Sequence, residues 1–149
     1  MEILKGLLYI NNKDVYSEYG AFLTEDAAGK YGNYSELLTP PKTKPYTAVS
    51  FREDDGEKLP DTLPPQAFEA RDVTLYFAVT ADTPQIFMQK YSSFVNFLKS
   101  GWLNIRLPEL NKTYKMYYRD CTGYEQLTPI DGRVVAKFKV KLREPVPQF

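Results

Sequence analysis

Between Arg133 and Arg143 the chain alternates almost without a break. Val134, Ala136, Phe138, Val140 and Leu142 share one parity. Arg133, Lys137, Lys139, Lys141 and Arg143 share the other, with Val135 the single apolar residue among them. Side chains change face at every residue of a strand, so this spacing predicts a strand with one face in a core and a cationic row in water. Such a strand needs long antiparallel partners. The pattern describes a scaffold rather than a catalyst.

The rest of the composition narrows the function classes. A chain of 149 residues is expected to form one domain over 1–149 with its own core. Lys plus Arg and Asp plus Glu balance at 19 each, so nothing draws the whole molecule to nucleic acid or to an anionic membrane. There is no His, which removes the commonest general base and the commonest metal ligand together. The one cysteine, Cys121, has no intrachain disulfide partner and reads as a small half-buried thiol rather than a nucleophile. No apolar run approaches membrane-spanning length, and the first residues lack a signal-peptide core. The expectation is a soluble protein made in the cytoplasm, without cofactor or metal, and not an enzyme.

Further strands are expected over Ile3 to Ile10, Val15 to Leu23 with a bend at Gly20, Tyr46 to Phe51, Phe68 to Thr80, Trp102 to Leu107 and Thr113 to Cys121. In the strand from Phe68, Val73, Leu75, Phe77 and Val79 are the inward set. Gly123 to Asp131 reads as a loop ending in the Asp131-Gly132 turn. One helix stands out, over about residues 83–100. Asp82 or Thr83 caps it, Pro84 occupies its first turn, Gln85 is placed to close a capping box and Gly101 ends it. Its core stripe is Phe87, Tyr91, Phe94, Val95 and Leu98. Ile86 and Phe97 widen that stripe, which fits either a deeply sunk helix or a second contact with a neighbouring subunit. The long connections, Thr24 to Pro45 and Arg52 to Pro65, are rich in proline and glycine, with Tyr31 and Tyr34 in the first and one helical turn over Ser35 to Leu38. The fold class is therefore mainly β, a β-sandwich of about seven strands with one packed α-helix and long loop or hairpin arms.

Few clusters carry chemistry. Glu53, Asp54, Asp55 and Glu57 are nearly consecutive, so they splay instead of converging on a cation, as a calcium loop requires. No Ser-x-x-Lys motif and no phosphate-cradling glycine run are present. The row Lys137, Lys139 and Lys141 has two readings. It is a solubilising face that blunts edge pairing, or an ion-pair seam with an acidic surface such as the Glu53–Glu57 turn of an adjacent copy. Trp102, Tyr117 and Tyr118 are the rings that a carbohydrate-binding module would line up. The mixed run from Tyr114 to Arg119 is a weaker signal for base stacking.

Several stretches in order resemble phage distal tail proteins. They are Ile10-Asn11-Asn12-Lys13-Asp14-Val15-Tyr16 with Tyr19-Gly20, then Arg71-Asp72-Val73-Thr74-Leu75-Tyr76-Phe77, the helix from Pro84 to Ser100, a Tyr-rich strand ending in Tyr117-Tyr118-Arg119, and a last strand entering Glu144-Pro145-Val146-Pro147. The likeness is one of pattern and order over most of the chain. It implies a structural component of a phage or prophage tail, related to tail tube subunits. Such a protein assembles as a ring, hexameric in this family, that joins the tail tube to the tip. The implied place is the virion, and the implied partners are further copies and the tube, tip or hub proteins, with no sequence-specific nucleic acid and no membrane insertion. Extended arms would clasp the neighbouring copy. Longer members carry a C-terminal domain, and ending at Phe149 favours a ring or adaptor role over receptor binding. The expected interface residues are Tyr31, Tyr34, Asp54, Asp55, Glu57, Ile86, Phe97, Lys137, Lys139 and Lys141. A bore that passes DNA should not be strongly basic, so the three lysines should turn away from it or be paired with acids.

Overall fold

In the computed structural model, which describes residues 6–24, 32–128 and 133–149, the alternating segment is the centre of the fold. The elements in chain order are β1 (Tyr9–Ile10), β2 (Lys13–Asp14), α1 (Val15–Tyr19), β3 (Ala21–Leu23), α2 (Gly32–Leu38), β4 (Arg71–Ala81), α3 (Pro84–Leu98), β5 (Trp102–Leu107), β6 (Lys112–Gln126) and β7 (Val134–Glu144). β7 pairs with β4 along its whole length. The register sets Leu142 opposite Val73, Val140 opposite Leu75, Phe138 opposite Phe77 and Ala136 opposite Val79. Both alternating sets therefore share one face, and all eight residues are buried.

The body is mainly β with one long packed helix, as expected. Its seven strands are joined in one antiparallel sheet, ordered β2-β1-β5-β6-β7-β4-β3. The link between the sheet's two halves is the length of β6. Its first half, Lys112 to Tyr117, pairs with β5, and the stretch from Tyr117 to Gln126 pairs with β7. Register shifts between Tyr118 and Asp120 and between Cys121 and Gly123 let the strand continue through Gly123, where a loop was expected.

Helix α3 covers the apolar face. Thr83 is its cap, accepting from the Ile86 amide at 3.1 Å, while Asp82 turns to Arg133 at 2.7 Å. Gly101 ends the segment with φ of 132°. Phe94 lies 5.3 Å from Phe77 and 6.1 Å from Phe138, ring centre to ring centre, and Tyr91 lies 5.2 Å from Phe138. These edge-on aromatic contacts join helix and sheet into one core.

Two expected strands take other forms. Val15 to Tyr19 is helical, not extended. The Asp14 carboxylate accepts from the Tyr16 amide, and Gly20 closes the turn at φ of 66° with its N–H on the Tyr16 carbonyl. A side chain at Gly20 would meet the Thr80 carbonyl at 2.5 Å, so only glycine fits there. Tyr46 to Phe51 is not a strand either. It forms one leg of a loose hairpin in which Val49 bridges to Lys58 and Thr43 to Phe68. Pro60, Pro64 and Pro65 lack the donors that a regular ladder needs. Of the expected first strand, only Tyr9–Ile10 pairs, and residues 3–5 lie outside the described residues.

Candidate assembly interface

The segment from Thr39 to Glu69 leaves the body as a hairpin arm. Every residue from 47 to 67 is exposed, among them Val49, Phe51, Leu59 and Leu63. Phe51 is 52% exposed beside the turn that bears Glu53, Asp54, Asp55 and Glu57. The tip is tied by the Asp54 amide on the Phe51 carbonyl and by the Ser50 hydroxyl on the Gly56 carbonyl, each at 3.3 Å. Lower down, the Tyr46 hydroxyl crosses to the Pro64 carbonyl at 2.5 Å. From the Thr43 bridge to Phe51, where the turn begins, the leg extends about 26 Å at ~3.3 Å per residue. A body of this chain length is roughly 35–40 Å across, so the arm reaches about two thirds of the body's width.

The arm's root is held much more firmly than its tip. Arg71 bonds Glu144 at 2.7 Å, and both side chains are nearly enclosed. The same guanidinium donates to the carbonyl of Thr39, the first residue of the arm, at 2.8 Å and to that of Leu37, in the last turn of α2, at 3.3 Å. A planar five-donor group is suited to gathering several acceptors at once. Helix α2 in turn covers the edge of β4 beyond β3. The Asn33 side chain accepts from the Tyr76 amide at 2.7 Å and donates to the Tyr76 and Thr24 carbonyls, and Glu36 accepts from the Thr74 amide. These side chains substitute for the missing strand partner. Tyr34 donates to Glu109 across the same region. Burial first and the Glu109 carboxylate second push its hydroxyl up to about 12.

The lysine row faces outward, as the alternation requires, and its partners come largely from its own chain. Lys137 pairs with Glu125 at 3.5 Å, Lys139 lies over the Tyr76 ring at 5.5 Å, and Lys141 stands opposite Asp120 in register. Asp72 receives both Arg143 and Arg119 at 3.1 Å. Desolvation acts to raise the Asp72 carboxyl, but the hydrogen bonds from Arg143 and Arg119 outweigh it and hold the group below the usual aspartate range.

Trp102 and Tyr117 meet on the outer face of β5 and β6, ring centres 5.8 Å apart and nearly perpendicular at 82°. Tyr118 is not with them. It pairs opposite Leu142 and packs against the core, so the three-ring row of a sugar platform does not assemble. Beside Trp102 runs an open groove of about 430 Å³, lined by Thr113, Lys115, Glu144, Pro145, Val146 and Gln148. The Lys115 ammonium sits 4.6 Å above the Trp102 ring.

The remaining expected interface residues scatter. Ile86 is exposed on α3 near Arg133 and Lys90, while Phe97 stacks on Tyr19 at 5.3 Å within its own chain. Asp54, Asp55 and Glu57 stand together on the arm tip, far along the chain from the lysine row, and Tyr31 lies outside the described residues. Cys121 faces the core opposite Val140, and burial pushes its thiol up, which does not suit a nucleophile. Sequence reasoning missed Arg71, Glu144 and Asn33 as the anchor of the arm. A charged Arg71–Glu144 pair ending two otherwise apolar inward rows was the available signal. Among the described residues no helix is long and apolar enough to cross a membrane.

No family model matches the sequence, and no curated protein matches it. Among solved structures, the fold is similar to the Dit protein (gp 19.1) of phage SPP1, described as a paradigm of the hub adsorption apparatus in phages that infect Gram-positive hosts. The TM-score is 0.50 at 14% identity, over 90% of this chain. The chain spans about half the length of that protein, 49%. At this identity the likeness establishes a shared fold.

Proposed function

We propose that this chain is a non-enzymatic structural subunit of a phage or prophage tail, of the distal tail type, that works by assembling into a ring between the tail tube and the tip. The observation that carries the reading is the arm. A hairpin about two thirds as long as the body is wide holds four large apolar residues in water and is anchored at its root by a buried ion pair. Surface of this kind is a liability in a monomer and an asset in a contact between copies. The fold shared with a phage hub protein supports the same reading.

A head-to-tail contact, arm of one copy to body of the next, generates a closed ring when the rotation per step closes. Six copies is the number the resemblance suggests. Within the lysine row Lys137 is neutralised by Glu125 and the charges of Lys139 and Lys141 remain, so in such a ring the row would face away from passing DNA. Its working partners are copies of itself and the adjoining tail proteins, and its place is the virion. Light scattering on concentrated protein, with electron microscopy of the product, tests this. Closed rings of one size support the reading. A protein that stays monomeric at millimolar concentration and with its neighbouring tail proteins added contradicts it.

A further inference from the structure

From the geometry we infer where the arm lands: Phe51 at the arm tip of one copy seats in the Trp102–Val146 groove of the next, with the acidic tip against Lys115. This rests on the ring reading above and adds the contact itself. Three observations lead to it.

First, groove and tip complement each other in chemistry. The groove offers Trp102, Pro145 and Val146 as apolar wall, and Trp102 and Val146 are 51% and 76% exposed. Its carboxylate, Glu144, is already taken by Arg71, so the free charge at the rim is the Lys115 ammonium. The tip offers one aromatic ring flanked by four carboxylates, none of which makes an ion pair with a described residue of its own chain. An aromatic anchor in a pocket with an opposite charge at its edge is the usual form of a strong contact point.

Second, the groove lies beside the root of its own arm. Gln148 lines it, and the next residue, Phe149, packs on Phe68 at the arm base with ring centres 6.5 Å apart. Lys112 lies 4.9 Å over the same Phe149 ring. In a ring, equivalent points on successive copies are separated by about one subunit width. The arm spans about two thirds of that, so a tip directed along the ring crosses onto the next copy on the side of its arm root, where the groove is.

Third, two of the other outward surfaces are less suited. On the lysine row, Lys137 has Glu125 and Lys139 has Tyr76. The edge of β4 beyond β3 is covered by Asn33 and Glu36.

The test uses full-length protein. A Phe51→Cys protein is mixed with a Lys115→Cys protein under mild oxidation, and covalent dimers are counted on a denaturing gel. A Lys141→Cys protein takes the place of the second partner as control. Both positions are exposed or on the outer face, so the fold is retained, and the native Cys121 faces the core. The expected result is at least tenfold more heterodimer with Lys115→Cys than with the control. Because Trp102 is the chain's one tryptophan, its emission should also shift to the blue as wild-type protein assembles, and a Phe51→Ser change should remove that shift. Rings that form with Trp102 emission unchanged and equal cross-linking to both partners overturn this contact while leaving the ring reading intact. Absence of any assembly overturns both. A blue shift in dilute monomer on adding sugars, with no heterodimer, assigns the groove to carbohydrate and also overturns it.

Discussion

The body and the arm are built from similar residues and use them in opposite ways. In the body, Phe77, Phe94 and Phe138 are withdrawn from water and pack on one another across helix and sheet. In the arm, Phe51 and Leu63 sit about half exposed. The body carries a full ladder over β4 and β7, whereas the arm carries two isolated bridges. The difference shows that similar apolar surface is packed within the chain in one place and left in water in the other. The Arg71–Glu144 pair sits where the two regimes meet.

The sharpest way to break this comparison is to truncate one ring in each region. Phe94→Ala should cost about 3–5 kcal/mol of folding stability, because it opens a cavity in an enclosed aromatic cluster. Phe51→Ala should change monomer stability by no more than about 0.5 kcal/mol while weakening assembly. Urea titration of both variants reads the contrast, and equal losses would show that the arm belongs to the folding unit. The boundary residue comes next. Removing one partner of the buried pair with Arg71→Ala should cost about 3 kcal/mol, and replacing both by Arg71→Met with Glu144→Leu should restore most of it. A double-mutant cycle in urea checks that, and full additivity would contradict the pairing.

Two pH effects are smaller and can be read by thermal melts. Burial, then Cys121, pushes the Tyr91 hydroxyl up to about 12, and Tyr34 is raised to a similar value. The folded chain thus keeps protons that the unfolded chain releases near the ordinary tyrosine value of ~10. Stability should fall as pH rises from there, and Tyr91→Phe should flatten the fall. Asp72 works in the other sense. Its lowered carboxyl adds stability above the ordinary aspartate value of ~3.9, and that contribution disappears as pH falls through its folded value. The pair is partly solvated, so Asp72→Asn should cost less than about 1 kcal/mol near neutrality.

How far the sequence reached follows the same division. Alternation marks residues by face, so the inward rows of β4 and β7 and the bounds of β5 were legible. The stripe of α3, Pro84 and Gly101 marked the helix. Local caps were harder. Asp14 and Gly20 bracket α1, but Val15, Tyr16 and Tyr19 favour strands and outweighed them in the reading. The anchor was not legible because its bonds are remote. Asn33 meets the β4 edge at Tyr76, and Arg71 meets Glu144, through the fold rather than through spacing. At the candidate interface, the acidic tip could be seen as a cluster. Its ring at Phe51 read as part of a strand, and the Lys115 side of the groove had no signal beyond an aromatic-basic run.

On the proposed function, the arm serves association and not folding. Sedimentation velocity on concentrated wild-type protein and on a variant carrying Val49→Ser, Phe51→Ser and Leu63→Ser, each matched by a melting curve, tests it most directly. The wild type is expected to form a closed oligomer and the variant to stay monomeric, with melting temperatures that agree in the dilute monomer. A variant that assembles as the wild type does, or one that has lost its cooperative melt, would contradict it.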